Sequence, residues 1–566
     1  MDKDASAIDI ARLRLWLSLV VDEEDFDDIE ALPNLDYKIV HGNSLIGLPE
    51  TVMRDLNLEK ELENLKGTFF AENNEIRKKE LRKEINKKII DLLDSVESFA
   101  GYKIDFDFKF FFSEVWREKG GFDIVIGNPP YDVYEGERSD EIPIIKKNQI
   151  YSIAGSGKLN AYKLFMAKSR TLLNQGGIFN QIFQNSFLGD NSAKLLRKYF
   201  LAEQQIIKID SFPERDDLNK RVFKSAKMSV CVLFSRNIKK IEYSFDLNIW
   251  AERWMENSIT AQFINREILL FDKESFVIPS VSQIEKNILS VFSNYQRFGN
   301  KFTCYQGEIN LSTNKSIIIE DADVNTMPLL KGAGVQKWFL PEKMSQGKIE
   351  YLLYKSYLME TKGEKTTHFK YPRIVMQGIT GVDEKYRIKA TIVGSGVFCG
   401  HSTNYISLKG IQESEAYYFT AILNSEFSNW FFKKFSTNSN VNSYEIHNLP
   451  YLDFTEKYTP IQIVASYLLN KKKILSDIVF IFYEQLLDAC AYELYFPKEV
   501  HAANKSIIEH LQDLKPINDS MTDDQKLSII NSEFVRLYDP YHPVRFAVET
   551  MDSIEEIRII KEALQK

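Results

Sequence analysis

Phe122-Asp123-Ile124-Val125-Ile126-Gly127-Asn128-Pro129-Pro130-Tyr131 is the stretch on which the reading of this chain turns. Its first six residues are a short, β-branched apolar run bounded by glycine on both sides, the pattern of a buried strand. Two prolines cannot continue a sheet ladder, so the chain must turn out of the sheet at once. The turn presents one amide side chain, the carbonyls of a rigid backbone and one aromatic ring at a strand's carboxyl end. Open α/β sheets bind ligands at that edge. The set suits a flat base with an exocyclic amine: the ring stacks on the base, while the Asn128 oxygen and a proline carbonyl accept the two N–H groups. The plain alternative is an ordinary strand-ending turn.

Outward from this turn, the pattern predicts a helix over 159–173, stopped by Gly176-Gly177, and strands over 178–184, 205–209 and 228–234. Alternation of this kind indicates a mostly parallel α/β sheet, placed to end near residue 240. Upstream, 7–17 has the 3.6-residue spacing of an amphipathic helix, and 37–40 reads as a strand ending at Gly42-Asn43-Ser44. The charged segment 50–107 reads as a helical insertion with a solvated face. Beyond about 290 come short strands at 373–376, 390–393 and 405–408, and beyond 455 helices such as 461–491. Between Lys331 and Arg373 stand nine Lys/Arg against four Asp/Glu, interleaved with Trp338, Phe339, Tyr351, Tyr354, Phe369 and Tyr371. That mixture fits a nucleic-acid surface and fits a solvated β-domain surface equally well.

With 566 residues, 44% of them hydrophobic and 27% charged, the chain has the length and composition of several globular domains. Its 72 basic and 80 acidic residues give a net charge of −8, so a basic surface, if present, is confined to a cleft. Cys231, Cys304, Cys399 and Cys490 have no short spacing, which points to a reducing cytoplasm rather than a disulfide framework or zinc site. The seven histidines form no ligand pair, so no metal is expected. No apolar run reaches membrane-spanning length.

Taken in order, Gly127-Asn128-Pro129-Pro130-Tyr131, then Leu159-Asn160-Ala161-Tyr162-Lys163-Leu164-Phe165, then Gly176-Gly177 with Gln184-Asn185-Ser186-Phe187-Leu188, then Arg221-Val222-Phe223, resemble the gamma-class N6-adenine DNA methyltransferases. The similarity is to the TaqI-like enzymes and the methylase halves of type IIG restriction–modification enzymes. The resemblance implies an α/β fold: an incomplete Rossmann-like sheet of the S-adenosylmethionine-dependent methyltransferases and a mixed α+β DNA-specificity domain. It implies a catalytic domain over 1–240, a connector over 241–290 and a specificity domain over 291–455; the helical tail over 456–566 is read from the residue pattern and lies outside the resemblance. It also implies double-stranded DNA as partner and a role in restriction–modification or phage defence, in the cytoplasm.

By resemblance, Asn128 and Pro129 bind the amine of a flipped-out adenine, Pro130 stiffens the turn, Tyr131 stacks on the base and Phe223 contacts its other side. For Phe223, a core position in an apolar strand is the competing assignment. The cofactor S-adenosylmethionine falls to Asp2, matching the acidic residue on the ribose hydroxyls, to Asn43 with Ser44 beside its adenine, and to Asn128. One departure stands out. The family's first strand and Gly loop should precede Asp2 by about twenty residues. Gly155-Ser156-Gly157-Lys158 and Gly394-Ser395-Gly396 are the nearest substitutes, and neither has the spacing. The expectation is therefore the downstream part of a larger methyltransferase, completed by an upstream fragment or subunit. The alternatives are a catalytically silent DNA-binding subunit, or the same chemistry on an RNA base or a protein glutamine amide.

Overall fold

A computed structural model describes residues 2–21, 37–48, 56–136, 139–155, 159–271, 274–341, 348–436, 438–469, 471–472 and 474–565. The chain forms two compact units, Met1–Leu269 with Lys273–Val277, and Leu270–Asp272 with Ile278–Lys566.

The first unit opens with α1 (Ala5–Val20), capped by the Asp4 carboxylate, which accepts from the Ser6 amide. Ile8 is buried, whereas the stripe Ile10, Leu13 and Leu17 remains exposed. The segment 37–40 forms no strand; it is a turn with Tyr37 at φ 65°, followed by a single parallel bridge between Asp2 and His41. The insertion is a helical hairpin, α2 (Leu56–Ala71) and α3 (Glu75–Ala100), around Leu62, Phe69, Leu81, Ile85 and Leu92. Two short helices, α4 (Phe108–Phe111) and α5 (Ser113–Lys119), lead into β1 (Phe122–Gly127). Gly120, at φ 74°, ends α5 by donating to the Trp116 carbonyl at 2.9 Å. A Cβ on Gly121 would lie 2.7 Å from the Asn174 nitrogen, so the chain reaches β1 this closely only through glycine.

After α6 (Glu141–Lys147) and α7 (Ala161–Ser169), β2 (Leu173–Gln184) pairs in parallel with β1. Then α8 (Lys194–Glu203) leads to β3 (Gln205–Phe212), β4 (Val230–Arg236), β5 (Ser244–Trp250) and β6 (Ser258–Ile264). The sheet order is β1-β2-β4-β3-β5-β6. Three expectations change here. The sheet is mixed rather than mostly parallel, because β4 inserts antiparallel between β2 and β3, and β6 pairs antiparallel with β5. It also runs past residue 240, since β5 and β6 lie in the stretch expected to be a connector. And β1 is not a buried strand: among the described residues it is the sheet's edge, with Ile124 60% and Ile126 77% exposed. An apolar run signals a strand but not its place in the sheet.

Cross-strand partners share a face, which separates the sheet's two sides. Phe179, Phe183, Ile206, Leu233 and Leu247 lie on the buried side. There α7 and α8 cover the sheet: Tyr162 stacks on Phe183 at 5.7 Å and Phe200 packs on Phe179 at 4.9 Å. The opposite side runs from Ile124 and Ile126 through partly exposed Ile178, Ile182 and Phe234 to exposed Thr260 and Gln262.

The second unit holds two four-stranded sheets. Along the chain its strands are β7 (Cys304–Gln306), β8 (Ile318–Ile319), β9 (Met327–Leu330), β10 (Glu350–Leu352), β11 (Arg373–Gln377), β12 (Ala390–Val393), β13 (Phe398–Cys399) and β14 (Thr403–Ser407). They are ordered β13-β9-β10-β8 and β12-β11-β14-β7. Helices Glu413–Asn424, Glu426–Phe435, Thr459–Leu468 and Asp477–Tyr495 belong to the same unit, with Phe427 stacked on Tyr495 at 3.8 Å. Among the described residues no helix is long and apolar enough to cross a membrane.

Candidate active site

At the carboxyl end of β1 the side chain of Asn128 is exposed, Pro129 is buried and Pro130 is exposed. The buried proline anchors the turn while the residues on either side face outward. Tyr131 is half-buried, and its hydroxyl lies 3.2 Å from the Asn128 Oδ1 and 3.3 Å from the Ile182 carbonyl, with one proton to donate between them. The Gln184 Nε2 donates to the Tyr131 carbonyl at 3.1 Å. The turn is thus clamped to the carboxyl end of β2. Burial pushes the Tyr131 phenol well above its ordinary range, so it stays a neutral donor at physiological pH. A carbonyl oxygen has two lone pairs, so Asn128 Oδ1 keeps one acceptor site. The Pro129 carbonyl accepts no hydrogen bond among the described residues.

Phe223 sits in the connection between β3 and β4 rather than in a strand, and its ring meets Tyr131 edge to face, centroids 5.8 Å apart at 61°. The structure brings these two predicted residues together. It leaves no base-wide slot between them, which would need near-parallel rings about 7 Å apart, twice the ~3.5 Å contact of stacked carbons.

Asp2 and Asn43 are also brought together. The Gly42 amide donates to the Asp2 carbonyl at 2.9 Å, next to the Asp2–His41 bridge. Asp2 is exposed, and its Oδ1 accepts from the Asp4 amide at 2.9 Å. Its other oxygen has no partner among the described residues. Asn43 Oδ1 accepts from the Leu45 amide at 3.0 Å, leaving its amide nitrogen to donate, and Ser44 is half-buried beside it. No described contact joins this pair to Asn128. Of the glycine-rich substitutes, Ser156, Gly157 and Lys158 lie outside the described residues.

Gln184 and the Ile182 carbonyl had no role assigned from sequence. Gln184 opens one of the motifs that carry the resemblance, and both lie at the end of a strand that proved to be the neighbour of β1. Several candidates in the basic and aromatic stretch 331–373 are engaged in internal contacts. Lys331 pairs with Glu350 at 2.5 Å, Lys337 with Glu484 at 3.1 Å and Lys348 with Glu320 at 2.9 Å. Arg373 and Glu308 form a fully buried pair at 2.9 Å. Trp338 and Phe369 are core residues, whereas Phe339, Tyr351, Tyr354 and Tyr371 are partly exposed.

Residues 1–218 match the family model described as Eco57I restriction-modification methylase. Among curated relatives, the type II restriction enzyme and methyltransferase RM.Eco57I of Escherichia coli is 25% identical over 186 residues, 32% of this chain and 17% of that protein. The type II methyltransferase M.BsuBI of Bacillus subtilis is 23% identical over 383 residues, 65% of this chain and 71% of that protein. Among solved structures, the type IIL restriction–modification enzyme MmeI in complex with DNA superposes with a TM-score of 0.41 at 11% identity, over 85% of this chain and 65% of that one. The match to the Eco57I restriction-modification methylases over residues 1–218 thus takes in the Asn-Pro-Pro-Tyr turn and the motifs as far as Gln184–Leu188, while Arg221-Val222-Phe223 lies beyond it.

Proposed function

We propose that this chain is a site-specific DNA methyltransferase of a restriction–modification or phage-defence system, methylating N6 of an adenine flipped out of duplex DNA. The observation that carries this reading is the pair of open acceptors, Asn128 Oδ1 and the Pro129 carbonyl, held at the end of β1 by Tyr131 and Gln184. An adenine amine is a poor nucleophile because its lone pair is delocalised into the ring. Two acceptors that suit a tetrahedral nitrogen better than a planar one stabilise the attacking geometry more than the resting one. The Tyr131 hydroxyl orients the Asn128 amide for this work. The tyrosine ring offers the base a stacking surface, worth roughly 1–3 kcal/mol against a flipping cost of a few kcal/mol. Phe223 must swing off Tyr131 before it can close on the base from the other side.

S-adenosylmethionine, when bound, supplies an electrophilic methyl group on a sulfonium. The residues present fit it: the exposed Asp2 carboxylate has a free oxygen for a ribose diol, and Asn43, with Ser44 beside it, retains an amide donor for the adenine ring. A second reading is favoured by the edge of β1, which has no strand partner on its outer side among the described residues. In that reading the chain binds DNA but needs a second polypeptide to hold the cofactor. Transfer of labelled methyl from S-adenosylmethionine to duplex DNA, beside an RNA of the same sequence, tests the proposal. Label in DNA with wild type and none with Asn128→Ala supports it. Label in RNA alone overturns the substrate, and no label with DNA binding retained favours the second reading.

A further inference from the structure

A cavity of about 290 Å³ is lined by Gly155, Asn191, Ser192, Lys194 and Leu195. Four of these five residues come after β2 and the short helical turn Asn185–Leu188, and β2 runs parallel to β1, so they belong to the connections at the sheet edge that carries Asn128. Behind Ser192 stands Lys163 of α7, only 1% exposed. Its ammonium donates to the Ser192 Oγ at 2.9 Å, and its two other N–H donors have no acceptor among the described residues. Burying an ammonium against one hydroxyl is unfavourable unless something completes its shell. Asp190 is the acid nearest in charge, but it forms no ion pair with Lys163, and its Oδ1 is engaged by the Ser192 amide at 2.8 Å. Lys194, half-exposed in the cavity wall, has no ion-pair partner among the described residues. Gly155 brings its wall close: a Cβ there would lie 2.3 Å from the Ser192 carbonyl.

Resting on the reading of duplex DNA as substrate, we infer that this cavity takes an anion, a backbone phosphate of the target strand, held by Ser192 and Lys194 in its wall, with Lys163 behind Ser192 supplying charge through that hydroxyl. Helix α7 is pinned to the Asn-Pro-Pro-Tyr loop by the Ala161 amide on the Asp132 carbonyl, 2.9 Å, and the Tyr134 amide on the Leu159 carbonyl, 2.8 Å. A phosphate seated here is therefore held in fixed register with Asn128, and it would position the strand whose base enters the turn.

Salt titration of duplex binding by the full chain tests this. Each lost phosphate contact flattens the slope of log affinity against log salt by about 0.9. Lys194→Gln and Lys163→Met are each expected to flatten it by about that amount, while Asn128→Ala leaves it unchanged. Wild-type slopes in both lysine variants, with wild-type thermal unfolding, overturn the site. If Lys163→Met does not fold, a wild-type slope in Lys194→Gln alone overturns it. Thermal protection by inorganic phosphate in wild type but not in the variants supports a site that also takes the free anion. A flattened slope without that protection supports one filled only by the DNA backbone. Flattened slopes without methyl transfer would sink the proposed reaction and leave the phosphate site standing.

Discussion

The Asn-Pro-Pro-Tyr turn and the stretch 331–373 were both candidate contact regions as sequence, the turn the more specific of the two, and the fold treats them in opposite ways. In the turn, a rigid backbone leaving a strand end keeps Asn128 exposed and the Pro129 carbonyl unengaged. In 331–373, strands and short helices bring lysines beside acids, as where Lys331 on the β9 side meets Glu350 of β10. Counting charges along a chain therefore says how many there are, and only the fold says which are already satisfied. A turn stiffened by two prolines has few ways to hide its polar groups, so its chemistry survives folding.

The comparison breaks most visibly at Arg373. If its pair with Glu308 is structural, Arg373→Ala leaves a buried carboxylate alone and costs about 3–5 kcal/mol in denaturant unfolding. A variant that folds normally but loses DNA affinity would return the stretch to the nucleic-acid surface. Next comes Asn128→Ala, expected to lower methyl transfer about 10²–10³-fold, as loss of a transition-state hydrogen-bonding group does elsewhere. Its unfolding curve should match wild type, because the side chain is exposed.

Buried acids in the second unit extend the contrast. Burial raises the Glu445 carboxyl from 4.5 to about 7, although its bonds to Asn442 oppose the shift. The folded protein thus holds a proton that the unfolded chain releases near 4.5, so its contribution is complete below that pH and is lost as pH rises to about 7. The slope is at most about 1.4 kcal/mol per pH unit. Glu445→Gln should remove that part of the slope in unfolding measured from pH 5 to 8 (buffer values at about one-unit steps). An unchanged slope would place the titration elsewhere. Tyr131→Phe keeps the stacking ring but frees Asn128 Oδ1; losing one hydrogen bond of about 1 kcal/mol should lower the rate constant about fivefold. A loss as large as that of Asn128→Ala would mean the phenol itself touches the reacting amine. Smallest is Lys348→Gln, whose exposed pair with Glu320 is screened by solvent, so both the unfolding curve and DNA affinity should match wild type.

What could be read in advance follows the same division. The strand at 122–127 and the turn after it were legible because β-branched residues and prolines act locally. The edge position of β1 was not, since Ile124 and Ile126 would look identical in a central strand. Antiparallel β4 lies between β2 and β3 through pairings far apart in sequence, which no local pattern encodes. The segment 37–40 carries strand-like residues, yet Tyr37 takes a left-handed turn and no partner strand completes a ladder among the described residues. Within the site, Asn128, Tyr131 and Phe223 were found by motif. Gln184 and Lys163 gained roles only when the fold placed them against the turn and Ser192.

The most direct test of the central claim is the identity of the methylated base. Duplex DNA incubated with the full chain and isotope-labelled S-adenosylmethionine is digested to nucleosides and resolved by mass spectrometry. Labelled N6-methyladenine with wild type, absent with Asn128→Ala, is the predicted result. Labelled methylcytosine, or labelled N6-methyladenine undiminished by Asn128→Ala, would contradict it.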